Sequence, residues 1–269
     1  MKKNLSNLIQ HENNWITEMG ASFPGERVVF RGKDVFQELS KFSWMQVLLF
    51  GITGREFSED QARLFEGIWV ISASYPDPRI WNNRVAALAG TVRSTGSLAI
   101  SASLAVSEAT NYGQRPLIKA IDFLIDTCKR IKAGEGLENI VLTELKSKRM
   151  LAGYGRPIVN KDERIEPLLE LSQKLGYKDG EHALLALEIE QMLEKYNYPY
   201  KLNAAGMAAA LAADQGLAPN EFYHLMSLCF TAGFHPCYID TQSSSEGVFF
   251  PLRCEFVSYS GENAREWGK

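Results

Sequence analysis

The chain has 269 residues, 45% of them hydrophobic, and a formal net charge of −3. That length allows one large domain or two unequal ones with a sizeable core, and a balanced charge without blocks of one sign speaks against a general nucleic-acid or membrane partner. The opening MKKNLSNLIQHENNW has no apolar stretch long enough for a signal peptide, and no window approaches the roughly 18 uninterrupted apolar residues of a membrane span.

In chain order, ERVVFRG (26–32) reads as a strand. SWMQVLLFG (43–51) is a helix stopping at Gly51, and SEDQARLFEGIWVISAS (58–74) is a helix with Ser58 as N-cap and acids in its first turn. The Ala-, Ser- and Gly-rich stretch 84–109 predicts a buried, closely packed helix pair. Residues 117–134 carry apolar side chains at 117, 118, 121, 124 and 125 and end in basic residues and Gly134, an amphipathic helix with a dipole-matched end. Helices follow at 166–177, with Pro167 near the first turn, at 180–196, at 203–216 and at 218–230. DTQSSSEG (240–247) reads as a mobile surface loop and GVFFPLRCEFVSY (247–259) as a second strand-like piece. The class is mainly α, with at least nine helices and minor β elements.

Cys128, Cys229, Cys237 and Cys254 lack CxxC spacing, so reduced cytoplasmic thiols are expected. His11, His182, His224 and His235 form no HxxxH or HExxH pair, and no metal site is expected.

The stretch with chemical content is LAGYGRPIVNKDERIEP, residues 151–167. Gly153 and Gly155 would let backbone N–H groups approach a ligand, and with Arg156 and Lys161 they would suit a phosphate. Arg164 could hold a carboxylate by a two-point contact. The same spacing also fits a plain polar turn before a helix.

Taken together with four other segments, this stretch resembles the citrate synthase family. GYG, Arg156 and NKDER resemble the family's acyl-CoA loop, Gly-Phe-Gly-His-Arg before Asn-x-Asp-Pro-Arg, with one residue missing. VFRGKDVFQELSKFSWMQVLLFGITGREFSEDQ, RSTGSLAISASLAV, TAGFHPCYID and PLRCEFVSYSG resemble further family segments in the same order, over roughly residues 15–262. The length matches the short, citryl-CoA lyase-like form. The resemblance implies an all-α fold with a large helical domain (1–112 and 215–269) and a smaller inserted helical lid domain (113–214). It also implies a homodimer in which Arg253 is donated across the interface, and coenzyme A or an acyl-CoA as substrate, with no metal.

The family's reaction uses a carboxylate base, two histidines and carboxylate-binding arginines, and this chain departs from that set. Where the first histidine belongs stands Tyr112, either a hydrogen-bond donor to an oxyanion or a turn tyrosine. The second histidine is deleted or replaced by Arg156, a permanent cation without acid–base function. The catalytic carboxylate is replaced by Lys201, either a general base or imine-forming amine or a solvated lysine at a helix start. An early substrate-gripping histidine falls near Tyr75, close to Arg79, Asn82 and Arg84, where a solvated turn is the alternative. Arg164 and Arg253 match substrate-carboxylate arginines, Gln242 falls near a third, and Gly153, Tyr154, Gly155 and Lys161 match the contacts to coenzyme A. His235 is offset by two residues from a family histidine, whose place Cys237 takes.

These replacements imply an enzyme acting on an acyl-CoA thioester and an oxo-acid partner, making or breaking a C–C bond with an altered catalytic set. Ordinary citrate synthesis is not expected. The alternatives are a non-catalytic ligand-binding or partner subunit of the same fold, and Lys201-dependent imine chemistry on a keto acid. Small anionic molecules are the expected ligands throughout.

Overall fold

The computed structural model describes residues 2–156, 159, 161–246, 248 and 253–262. Helix α1 (Lys2–His11) precedes a small sheet of β1 (Gly20–Phe23), β2 (Arg27–Phe30) and β3 (Lys33–Asp34). Then come α2 (Trp44–Thr53), α3 (Glu59–Ser72), α4 (Trp81–Thr91), α5 (Gly96–Ser107), α6 (Gln114–Lys132), α7 (Leu137–Lys148), α8 (Ile165–Lys174), α9 (Glu181–Lys195), α10 (Ala204–Asp214), α11 (Pro219–Met226) and α12 (Thr231–Ser243). The sheet is antiparallel in the order β1-β2-β3, with Gly20 opposite Phe30 and Val29 opposite Asp34.

Local signals start several helices. Ser43 and Ser58 each form a reciprocal capping box with a glutamine three residues on, which satisfies two otherwise orphan amides at the start of α2 and of α3. The Gln46 amide then donates to Phe57 O (2.9 Å), so one cap also holds the α2–α3 connection. Phe30 of the sheet meets Phe50 of α2 edge to face, with ring centroids 5.9 Å apart.

The chain forms two compact units, one of Met1–Ala73 and Glu108–Cys229, the other of Ser74–Ser107 and Phe230–Lys269. The segment 113–214, expected as a lid, lies within the first unit by this division.

In the first unit, α10 is the central element. It packs against α3, α6, α8 and α9, and every residue from Gly206 to Ala213 is buried. An apolar helix with polar residues on no face must be buried on all sides, and alanine combines strong helix formation with a narrow cylinder. Its last residue, Asp214, turns its carboxylate onto the start of α9, accepting from His182 N (2.8 Å), Ala183 N (3.0 Å) and His182 Nδ1 (2.9 Å). Because Gly180, the N-cap of α9, has no side chain, a remote carboxylate supplies the cap. A Cβ at Gly180 would lie 2.0 Å from Asp214 Oδ2.

In the second unit, α12 lies tightly against α4. A Cβ at Gly90 would meet Thr241 Oγ1 at 2.2 Å, and Thr241 Oγ1 donates to Ala87 O at 2.8 Å. The expected helix pair at 84–109 is present as α4 and α5, but it is not buried on all sides, since Trp81, Val92 and Leu98 are exposed.

Three helices go beyond the sequence reading: α1, α7 and α12. The loop expected from residue 240 starts later, because α12 runs to Ser243. The strand-like reading of 247–259 is corrected for its described residues. Cys254–Phe256 is a turn of 3₁₀ helix, and residues 257–260 pair with no strand among the described residues. A strand needs a hydrogen-bonded neighbour. Residues 247 and 249–252 of that stretch lie outside the described residues.

Gly180→Ala should destabilise the protein by about 1–3 kcal/mol through displacement of Asp214. Gly136→Ala, where a Cβ meets nothing within 4 Å, should be close to neutral. Urea unfolding of the two variants measures the difference.

Candidate functional site

The 151–156 loop is docked on the start of α10. Gly155 N donates to Lys201 O (2.6 Å), Asn203 N to Gly153 O (3.0 Å), and Asn203 Nδ2 to Gly155 O (2.8 Å). Asn203 also caps α10 by accepting from Gly206 N (3.0 Å). Gly153 and Gly155 take positive φ values of +86° and +83°. A Cβ at Gly153 would lie 2.8 Å from Gly206 Cα, and one at Gly206 would lie 2.4 Å from Gly153 O. The Gly153–Gly206 contact is therefore a backbone-to-backbone approach that packs loop on helix.

Two of the amides expected to cradle a phosphate are engaged within the protein. The Gly155 amide is taken by Lys201 O and the Tyr154 amide by Leu151 O (3.2 Å). The Tyr154 side chain is turned into the core. It is 4% exposed, its hydroxyl donates to Ala186 O (2.8 Å), and burial pushes its phenol far above the usual range. The glycines meet a packing demand, and the tyrosine is a core anchor.

Asp162, which the sequence reading passed over, organises the charges. It is the one charged residue among the buried ones described, and its side chain has 0% exposure. Its carboxylate accepts from Arg164 N (3.1 Å), Arg164 Nε (2.8 Å), Arg164 Nη2 (2.8 Å) and Ala204 N (2.8 Å). One side chain thus joins the loop, the start of α8 and the start of α10, whose N-terminal amides favour a negative charge. Burial works to raise its carboxyl, but the hydrogen bonds from Arg164 and Ala204 outweigh burial and hold it below the usual range. Burial likewise works against the Arg164 charge, and Asp162 outweighs it. The signal for this residue was an Asp two positions before a helix N-cap, where its side chain accepts the backbone amide ahead of it.

Around this pair sit several expected site residues. Arg156 Nη1 pairs with Glu163 Oε2, lies 3.6 Å from Asp162 Oδ1 and contacts Lys161 O. Tyr112, half-buried beside the Glu108–Gly113 bridge, is close enough to Arg164 for their charges to interact. Cys229 also feels Arg164. Its thiol donates to Trp69 O (3.5 Å), and burial pushes it up to about 12 although Arg164 pulls the other way. Arg164 gives Nε and Nη2 to Asp162, which leaves Nη1 for another acceptor. The group is a set of paired cations with spare donor capacity on Arg164, and it can hold a carboxylate or an oxyanion.

Other expectations fall elsewhere. Lys201 is next to Leu202 and Asn203, but its side chain is 38% exposed and Nζ lies 3.2 Å from Glu194 Oε2. Lys161 is exposed. Tyr75 and Arg253 belong to the second unit. Tyr75 is exposed, and Arg253 is 66% exposed, paired with Glu255 and placed over the Phe256 ring. In that unit Gln242 Nε2 donates to Tyr238 Oη (3.1 Å), His235 is exposed and Cys237 is buried. One concavity of about 290 Å³ lies by Pro76, Pro236 and Cys237 and another of about 480 Å³ by Ile118, Asp122 and Pro219. Neither includes Arg164 or its neighbours. Among the described residues no trio of His, Cys, Asp or Glu side chains is placed to hold a metal, and no helix is long and apolar enough to cross a membrane.

No family model and no curated protein sequence matches the chain. Solved structures do. Citryl-CoA lyase from Hydrogenobacter thermophilus superposes with a TM-score of 0.81 at 19% identity, over 94% of this chain and 97% of that one. The chain has the citrate synthase fold. ATP citrate lyase from Methanothrix soehngenii, solved with citrate and coenzyme A, superposes at 0.75 with 17% identity, over 96% of this chain and 44% of that one. Citrate synthase from Thermoplasma acidophilum, solved with carboxymethyl coenzyme A and oxaloacetate, superposes at 0.65 with 14% identity, over 98% of this chain and 64% of that one. At these identities the comparisons show a shared citrate synthase fold.

The depressed Asp162 carboxyl has a signed consequence for acid stability. A folded value below the ordinary 3.8 contributes stability that is complete above about pH 4 to 5 and is lost as pH falls through the folded value. Asp162→Asn should therefore lower stability at neutral pH, and the gap from wild type should close progressively below pH 4. Chemical unfolding at pH 7, 4 and 2.5 checks the sign.

Proposed function

We propose that the protein binds an acyl-CoA thioester together with a small oxo-acid or carboxylate partner and makes or breaks a C–C bond between them. The citrate synthase fold supports this class of chemistry, and the gathering of Tyr112, Arg156 and Arg164 at the start of α10 is the observation that carries it. In this reading Arg164 Nη1 holds the substrate carboxylate, with Asp162 fixing the guanidinium. Tyr112 donates to the enolate or carbonyl oxygen, and Arg156 adds positive charge beside it. Ordinary citrate synthesis is not part of the proposal, because no imidazole or carboxylate base stands at the expected positions and general acid–base groups are each worth about 10²–10⁴ in rate.

A second reading is favoured by the internal pairing of the cations. Arg156 is paired with Glu163, Arg164 with Asp162 and Lys201 with Glu194, as suits a ligand-binding or partner subunit that performs no chemistry. Imine chemistry has less support. Lys201 is part-exposed and ion-paired, whereas imine-forming lysines are activated by desolvation or a neighbouring cation. Borohydride with a keto acid should leave its mass unchanged.

Thermal shifts with CoA, acetyl-CoA, citrate and oxaloacetate test the proposal. Ligand at about 100 times its Kd should stabilise by about 2.7 kcal/mol. Arg164→Gln should abolish the response to citrate and oxaloacetate and leave that to acetyl-CoA. Silence across all four ligands would contradict the proposal.

The proposal includes a cytoplasmic homodimer whose inserted 113–214 segment closes over substrate. In the second unit α5 turns Ser103 and Ser107 inward and leaves Leu98 64% exposed, and Val92, the residue that ends α4, is 72% exposed. Helix faces of this polarity suit a second copy. Light scattering should give twice the chain mass, and Leu98→Glu should shift it toward monomer. A wild-type monomer at micromolar concentration would refute this part.

A further inference from the structure

The last turn of α3 carries polar hydrogens that no described residue accepts. Ser72 is 9% exposed, and its Oγ is buried without a hydrogen-bond partner among the described residues. Trp69 Nε1, one turn back on the same helix face, is buried and unpartnered in the same way. A buried serine inside a helix ordinarily bonds the carbonyl four residues behind it, as Ser103 does with Ala99 O (2.8 Å) and Ser107 with Ser103 O (2.9 Å). Ser72 makes no such bond. An idle buried donor is costly, so this hydroxyl calls for an acceptor from outside the chain, either a water or a ligand.

Its position ties it to the Arg164 group. α3 packs against α8, and a Cβ at Gly67 would lie 2.3 Å from Leu171 Cδ2. Cys229, 2% exposed, bridges the same two helices. Its thiol donates to Trp69 O (3.5 Å), and the charge of Arg164, at the N-cap of α8, acts on it. A helical side chain leans over the turn N-terminal to its own Cα, so Ser72 Oγ lies over the turn whose carbonyl receives the Cys229 thiol. The end of α3, Cys229 and the start of α8 are thus neighbours within the first unit.

The two donors suit different acceptors. The open nitrogen of Arg164 suits a carboxylate. The Ser72 hydroxyl is neutral and offers one hydrogen, which suits a carbonyl oxygen, whereas a second carboxylate would ask for a second cation. We propose that Ser72 is a specificity residue that donates to the oxo oxygen of the acid whose carboxylate Arg164 holds, with Cys229 as the wall beside it. The inference rests on the carboxylate-binding part of the function proposed above and narrows the partner to an oxo acid. Ser72 supplies a hydrogen bond and transfers no proton.

Calorimetry with oxaloacetate and succinate, four-carbon diacids that differ by the oxo oxygen, tests this together with urea unfolding of the unliganded protein. Wild type should prefer oxaloacetate. Ser72→Ala should weaken oxaloacetate by about threefold to tenfold and leave succinate unchanged, which erases the preference. The same substitution should leave the unliganded protein at least as stable as wild type, because it removes a buried donor that has no partner. A hydroxyl that serves only to fix a water would show the opposite pattern, lost stability with the preference intact, and would overturn the inference. Equal binding of the two diacids by wild type, or an unaltered preference in Ser72→Ala, overturns it and leaves the carboxylate reading of Arg164 standing. If wild type binds neither diacid, that reading and this inference fall together.

Discussion

A buried carboxylate must be paired or it must neutralise, and in this protein that rule falls on Asp162. Its two oxygens accept four hydrogen bonds, three from Arg164 and one from the first amide of α10. The cost of removing the charge from water is offset only while all three pieces stay in place. The loop after α7, the start of α8 and the start of α10 are therefore one assembly. The Gly153–Gly206 approach and the Asn203 cap act at the same junction, so the polar clamp and the glycine contact reinforce each other.

The same economy shapes the rest of the first unit. α10 is too apolar to meet water on any face, so its polar business is confined to its ends. At one end it receives Asp162, and at the other it sends Asp214 to cap α9. Functional side chains are positioned by these end contacts. Arg164 is aimed by Asp162, and Lys201 is placed by its carbonyl bond to Gly155 while its ammonium points to Glu194. In the proposed reading, a site made this way would hold negative ligands with donors that are already oriented. The proposed chemistry would rest on a phenol and guanidinium groups, none of which exchanges protons readily near neutral pH.

Much of this architecture was legible where the cause is local. Ser58 announces α3 because a hydroxyl, two acids and a glutamine occupy the first turn, and the Leu117–Leu124 periodicity announces α6. α7 passed unread although Leu137, Ile140, Val141 and Leu145 have helical spacing, because Gly136 provides no side-chain cap and its start carries no local mark. α12 was hidden by Pro236 inside it and by the polar 240–243 turn, whose helical state depends on packing against α4. In the site, Arg164 stood out through its motif, whereas Asp162 acquires its meaning from Ala204, 42 residues away. Gly153 and Gly155 were legible as special backbone positions. That their freedom serves contact with α10 depends on Gly206 and Asn203, and that Tyr154 turns inward depends on Ala186, all distant in sequence.

The most direct test of the clamp is a double-mutant cycle between Asp162→Asn and Arg164→Gln, read by urea unfolding at pH 7. Groups in one hydrogen-bonded network couple, and the two substitutions should be non-additive by about 2 kcal/mol, with the double variant more stable than the sum of the single losses implies. Coupling below about 0.5 kcal/mol would mean that the two residues act independently, and that the site is not built on their pairing.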